Sequence, residues 1–404
     1  MVKKEDKTYA ALLAVIFIAA SIPVFCGYVM AGGMAGQWAA MLQELSRGRF
    51  TLFTDWGTAA EHGFSQLAVN SNLFCFLPAL FLRWSGSVRW TWAALLLLIQ
   101  AGSLGGAVLL YRRVCPGRAG SLCGILLYVT MPFRIYLCYD RADVSQAFFW
   151  MLLPFYLWSL LRVMDGGRRW LFVPVSMLLL AATGYASAAL FPVIAGLTLL
   201  AGLAARSVFL PLTALGGCLL AVPGLGRYVT LLFGGGAGGA LSAVPDVSYG
   251  SIMTKGYAVG ELFSFFRWAE EKPGIGAGLF FVLFLLAWNV FVRERSLLQG
   301  RDVFFLAAGL LLIPCALRYF PWDLVQRVHP VLLRMVSLLG TPGLFLHLAC
   351  LFLTFPCAKA MGRLYGEGDR DQGTFLVAAL LAICLATTVY QCNTYVFSRP
   401  PLPL

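Results

Sequence analysis

The chain has 404 residues, of which 60% are hydrophobic, 14% aromatic and only 12% charged. A soluble globular domain carries about a quarter charged residues, so this composition excludes one and points to a polytopic membrane protein. The formal net charge of +12 does not point to nucleic acid, because the basic residues are spread through short connectors between apolar runs and do not gather on one face.

In chain order, the first apolar run covers 9–30 and follows Lys3, Lys4 and Lys7 without a small-residue cleavage pattern, which reads as an uncleaved start. The long segment 31–90 comes next. Within it Trp38, Met41, Leu42 and Leu45 recur at the spacing of one helical face, with Glu44 and Arg47 off that face and Gly48 as the stop. A helix lying on the membrane surface is expected there. Asp55, Trp56, Glu61 and His62 follow it, and then an apolar run at 73–82 that contains Pro78 and is too short to span. Further apolar runs lie at 91–111, 121–139, 146–161, 170–185, 188–203, 208–233, 276–292, 303–317, 343–357 and 374–390. The expected fold is therefore all-α and polytopic, with about eleven transmembrane helices of roughly 17 residues or more. It forms one transmembrane domain over 1–404, with no soluble domain and a short C-terminal tail.

The short connectors hold Arg112, Arg113 and Arg118, then Arg162, Arg168 and Arg169, then Arg206, then Arg293, Arg295 and Arg301, then Lys359, Arg363 and Arg370. Alternation from a cytoplasmic N-terminus puts all of them on the inside, as the positive-inside rule requires. The C-terminus is then outside, and the long segments 31–90, 234–275 and 318–342 all fall on the outer face. This asymmetry argues against a transporter built from two similar halves.

Several conspicuous residues read as packing. The eleven cysteines include no Cys-x-x-Cys pair, and Cys26, Cys123, Cys218, Cys350 and Cys384 sit in apolar runs, as small buried hydrophobes do. No metal site is expected from them. The glycine run at 234–239 lacks the strand and the Gly-Lys-Ser/Thr of a phosphate loop. Gly102 and Gly106, four apart in a span, invite close approach of another helix, and His347 reads first as a hydrogen-bonded packing residue. The turn after 121–139 is more informative, because it holds Arg134, Asp140, Arg141 and Asp143 at the membrane boundary, where charge has a cost and usually a partner. An ion pair of Arg141 with an aspartate is one reading. The other is that Arg134 and Arg141 contact a lipid phosphate, which a guanidinium fork fits well.

The sequence Met131-Pro132-Phe133-Arg134, leading to Arg141 and to Leu153-Pro154 after a second span that ends in Arg112-Arg113, resembles the GT-C class of glycosyltransferases, and more closely the bacterial YfhO-like membrane proteins. Tyr319-Phe320-Pro321-Trp322-Asp323-Leu324 and the later Gly340-Thr341-Pro342-Gly343-Leu344-Phe345 are similar to two further elements of that family. The resemblance covers nearly the whole chain at scattered positions. It implies an outer face, on a bacterial cytoplasmic membrane, that takes a polyprenyl-phosphate-linked sugar and transfers the sugar to a cell-envelope acceptor with the help of an acid in the first external loop.

The chain also departs from the family. No acid follows the first span, where the sequence reads Gly27-Tyr28-Val29-Met30. Gln146 stands where the family has Glu, and an amide carries no charge for acid–base work. Leu344 replaces the arginine of the later element. The remaining candidates for chemistry are Asp55, Glu61, His62, Asp140 and Asp143, one of which would take a proton from the acceptor or hold a divalent cation near the leaving phosphate. Candidates for the lipid phosphate are Arg134, Arg141 and Gln146, together with Arg318, Tyr319, Trp322, Arg327 and Arg334. The rival expectation is a non-catalytic protein that holds a lipid-linked intermediate or scaffolds envelope assembly; a transporter is a weaker third.

Overall fold

The computed structural model describes residues 2–28, 35–47, 73–165, 172–181, 255–266, 272–291, 301–328, 342–367 and 370–398, with isolated positions at 194, 196, 198, 199 and 212. Among them the backbone is helical almost throughout, and the only β-type pairing is one isolated bridge between Tyr257 and Leu317. Four of the described helices are long and apolar enough to cross a membrane: Val88–Val114, Val144–Met164, Gly343–Gly366 and Asp371–Val396. A fifth is added if the bent pair Arg118–Val129 and Pro132–Asp140 counts as one span. Shorter apolar helices occupy Lys7–Ala20, Ala277–Phe291 and Asp302–Ala316. Most of the runs expected at 188–203 and 208–233 lies outside the described residues, as do the glycine run at 234–239 and residues 48–72 and 329–341.

We label the elements α1 (Val2–Ala20), α2 (Ile22–Phe25), α3 (Ala35–Ser46), α4 (Leu73–Ser85), α5 (Val88–Val114), α6 (Arg118–Val129), α7 (Pro132–Ile135), α8 (Val144–Met164), α9 (Phe172–Ala181), α10 (Val259–Leu262), α11 (Ala277–Phe291), α12 (Arg301–Ala316), α13 (Trp322–Val328), α14 (Gly343–Glu367) and α15 (Arg370–Gln391). End contacts fix the relative directions of several described helices. Arg113 at the end of α5 pairs with Asp165 at the end of α8 (2.9 Å). Lys359 late in α14 pairs with Asp302 at the start of α12 (2.8 Å). Tyr9 in α1 bonds Ser121 in α6 (2.9 Å) and lies under the Arg112 guanidinium. These contacts bring Arg112, Arg113 and Lys359 to one end of the bundle, so for these described helix ends the sequence pattern and the packing agree.

Small residues set the closest approaches. A Cβ on Gly102 would meet Met151 Sδ at 2.5 Å, and one on Gly106 would meet Phe155 at 2.9 Å and Pro154 at 3.2 Å. The expected close packing at these glycines is thus the α5–α8 contact. Gly120 packs in the same way on the backbone of α14 at Ala358 and Gly362. The helix expected there forms as α3, with Trp38 and Leu42 buried and packed towards α4 and α5. One expectation about the cysteines is corrected. Cys123, Cys350 and Cys384 are buried, but Cys26 is exposed because α2 ends at Phe25 and the chain turns at Cys26–Gly27.

The span expected at 121–139 also needs correction, since it is not one continuous helix. Proline lacks the N–H that would continue the ladder and disfavours helical geometry in the residue before it. Met131 accordingly adopts ψ 126°, and α6 stops one residue earlier at a Thr130 cap. The chain resumes at a 43° bend as α7 and then a π-helical turn, Tyr136–Asp140. This break organises the polar end of the bundle.

Candidate functional site

The break gives the candidate site its shape. After the π turn the Arg141 N–H donates to the Tyr136 carbonyl (2.8 Å) and the Asp143 N–H to the Leu137 carbonyl (3.0 Å). Ala142 between them takes φ 56°, a left-handed conformation that a residue with a Cβ adopts only under constraint. Asp143 then caps α8: its Oδ1 accepts the Gln146 N–H at 3.1 Å. Single-turn π elements and such backbone constraint recur at functional sites.

This geometry draws Arg134 into the bundle, where it is 2% exposed. Its Nη2 donates to Gln100 Oε1 (3.0 Å), its Nη1 donates to the Val129 carbonyl (3.3 Å), and the guanidinium lies over the Tyr128 ring at 4.9 Å. Gln100 Nε2 in turn donates to Tyr139 Oη (3.3 Å), whose hydroxyl donates to the Ala20 carbonyl (2.7 Å). Among the described residues Arg134 makes no ion pair. Asp140 and Gln146 are buried nearby, and Arg141 Nε lies 3.7 Å from Asp143 Oδ2, so the expected ion pair of the turn forms, loosely.

Two elements close over this end. Gly276 at the head of α11 has φ 85° and sits so close to Pro132 that a Cβ would approach its ring at 2.9 Å. Tyr257 is pinned by backbone bonds to Ala316 (2.9 Å) and Arg318 (3.0 Å), and its hydroxyl donates to the Pro273 carbonyl (3.0 Å). Burial holds that phenol well above its ordinary pKa. From the other side α14 brings His347, whose ring stacks on Phe133 with centroids 3.2 Å apart and meets Trp150 edge-on at 6.4 Å.

The expected site residues are distributed as follows. At the break Asp143 meets Arg141 and the Gln146 N–H, while Arg134 and Asp140 are buried on the same bent segment. Arg318 and Tyr319 are exposed and stack on each other (5.1 Å). Trp322 turns inward, packing on Phe320 and Phe345, and Arg327 is exposed on α13. Asp55, Glu61, His62 and Arg334 lie outside the described residues. Leu344 is buried core. Gln100, Tyr128 and Trp150 were not singled out from the sequence. Gln100 alone carried a signal there, being a polar side chain in mid-span. Among the described residues no group of three His, Cys, Asp or Glu side chains is placed to hold a metal ion.

Among the described residues the chain is helical almost throughout, with four helices of membrane-crossing length, or five if the bent pair counts as one, and buried polar side chains gather at that bend. No family model matches the chain, and no curated protein matches it.

Proposed function

We propose that the protein binds a polyprenyl-phosphate-linked sugar at the Arg134–Arg141 end of its bundle and, as a GT-C-type membrane glycosyltransferase, passes the sugar to a cell-envelope acceptor. The observation that carries this reading is the buried Arg134 guanidinium without an ion-pair partner among the described residues. A buried charge is retained only when paired or well hydrogen-bonded. An amide oxygen and one carbonyl leave donors of this fork for a phosphate. In this reading the basic end faces the cytoplasm of a bacterium, with the N-terminus inside, the C-terminus outside and about eleven spans between them, in accordance with the positive-inside rule. The site then faces outward. The acid for transfer comes from Asp55, Glu61 or His62 of the first loop or from Asp140 at the break, and any divalent cation at the leaving phosphate draws its ligands from the same carboxylates.

A second reading, in which the lipid-linked sugar is held without turnover, is favoured by the turn itself. Asp143 is engaged as a helix cap, and Gln146 beside it carries no ionisable group.

The test uses purified protein, a bare polyprenyl monophosphate, and a panel of radiolabelled polyprenyl-phosphate sugars. Wild type is expected to bind the sugar lipid. Arg134→Gln and Arg141→Ala are expected to bind it about ten-fold more weakly, the size of one charge-assisted contact. Transfer by wild type that Asp55→Asn slows by about a hundred-fold gives the enzyme with its acid in the first loop. Binding without transfer from any donor gives the second reading, and no binding of either lipid rejects the proposal.

A further inference from the structure

Resting on the lipid-linked sugar reading above, we infer that His347 and Trp150 form the subsite that recognises hydroxyls of the sugar, while Arg134 and Arg141 take the phosphate. His347 is 5% exposed, and neither Nδ1 nor Nε2 has a hydrogen-bond partner among the described residues. The Trp150 indole Nε1, on the ring that His347 meets edge-on, is buried and without a partner in the same sense. Three buried nitrogens on two rings in contact, an aromatic nest, are thus without a partner among the described residues, where a buried polar group ordinarily has one.

The nest lies at the polar end of the bundle. His347 is four residues into α14, about 6 Å from its start at 1.5 Å per residue. Phe133, on which it stacks, precedes Arg134 directly. Trp150 is held by its own carbonyl, which accepts the Tyr128 hydroxyl, and Tyr128 is the ring beneath Arg134. The Tyr128 ring and the Trp150 backbone thus link the guanidinium to the ring nitrogens.

The donor and acceptor inventory selects the ligand. A neutral imidazole offers one N–H and one lone pair, and an indole offers one N–H. A phosphate oxygen satisfies the donors but is repelled by the lone pair. A hydroxyl both donates and accepts, so it satisfies the imidazole lone pair and an N–H together. Sugars carry several hydroxyls, and a site built to bond a hydroxyl discriminates strongly against a ligand that lacks it.

The experiment compares the affinities of a bare polyprenyl monophosphate and a polyprenyl-phosphate hexose for wild type, His347→Phe and Trp150→Phe. Phenylalanine keeps the stacked ring on Phe133 and removes the open nitrogens, and binding of the bare lipid reports that the site is still folded. Wild type is expected to prefer the hexose lipid. His347→Phe is expected to lose about ten-fold on the hexose lipid and Trp150→Phe about three-fold, with the bare lipid unchanged, as loss of one or two buried hydrogen bonds implies. Hexose preference retained in both variants overturns the inference, including the case where a buried water alone fills the nest and only the melting temperature moves. Equal loss on both lipids overturns it too, since the residues would then shape the bundle and not read the sugar. A wild type that binds both lipids equally overturns it while leaving the phosphate site standing; a wild type that binds neither overturns the lipid-linked reading itself.

Discussion

At the two ends of the bundle, cations are handled in opposite ways. At the basic end each of two cations meets a carboxylate from another helix: Arg113 meets Asp165 at 2.9 Å, and Lys359 meets Asp302 at 2.8 Å. At the other end the more deeply buried Arg134 rests on an amide oxygen, a carbonyl and a phenol face, and Arg141 reaches Asp143 only at 3.7 Å. The first arrangement is electrostatically closed and ties helices together. The second leaves hydrogen-bonding capacity unspent beside a constrained backbone, which is how a site differs from a structural contact. Substitutions at the basic end should therefore change stability alone, and those at the broken span should change ligand binding first.

The largest stability effect is expected at Lys359. Asp302 is 4% exposed in its side chain, and Lys359 is 33% exposed. Lys359→Met strands a buried carboxylate whose other oxygen already lacks a partner among the described residues. Breaking a fully buried pair costs roughly 3–5 kcal/mol, and partial exposure of the lysine lowers the expectation to about 2 kcal/mol. The double variant Lys359→Met with Asp302→Leu should recover most of it, because two apolar groups leave no charge to strand. Unfolding in mixed micelles measures both. A double variant no better than the single one would show that the pair does not act as a unit, and the contrast between the ends would lose its clearest example.

The second prediction crosses to the polar end and separates a cap from a catalytic acid. Asp143→Ala removes the oxygen that accepts the Gln146 N–H and should destabilise the protein by about 1 kcal/mol, the usual cost of losing an N-cap. Asp143→Asn keeps a capping oxygen and removes the charge, so its stability should stay near wild type. Its binding of a polyprenyl-phosphate sugar should likewise be unchanged. A large fall in sugar transfer by Asp143→Asn with unchanged melting would return Asp143 to the chemistry and weaken its reading as a structural cap.

Much of this contrast was legible in the sequence. The clustering of Arg112, Arg113, Arg162, Lys359 and Arg363 at helix ends follows from apolar run lengths and the positive-inside rule, and Gly102 and Gly106 announced a close helix contact from spacing alone. The break at Pro132 was present in the letters but hidden by the apolar continuity of 121–139, because hydropathy does not register a missing N–H. His347 read as a satisfied packing residue. Its true neighbours, Phe133 and Trp150, come from distant helices, and no local pattern shows that two aromatic rings offer it stacking and no acceptor. The Lys359–Asp302 pair was hidden for the same reason, since nothing along the chain tells which helix end a charge will meet. Asp55, Glu61, His62 and Arg334 fall outside the described residues, so the sequence remains their only account.

The smallest effect is expected at Arg113, and its smallness tests the explanation given for Lys359. Both pairs sit at the basic end, both join two helices, and their distances differ by only a tenth of an ångström. They differ in burial: the Arg113 and Asp165 side chains are 43% and 27% exposed. Water screens such a pair, and holding two long side chains in one geometry costs rotamer entropy, so exposed pairs contribute below about 1 kcal/mol. Arg113→Ala should therefore change unfolding by less than that, and the difference should shrink further in about 1 M salt, where the Debye length falls to roughly 3 Å. The Lys359→Met loss should persist in the same salt, because its stranded partner is buried. A loss of 2 kcal/mol or more for Arg113→Ala, insensitive to salt, would mean that pairing itself and not burial sets the strength of the basic end. Arg134 at the other end, without an ion pair among the described residues, could then no longer be read by its burial.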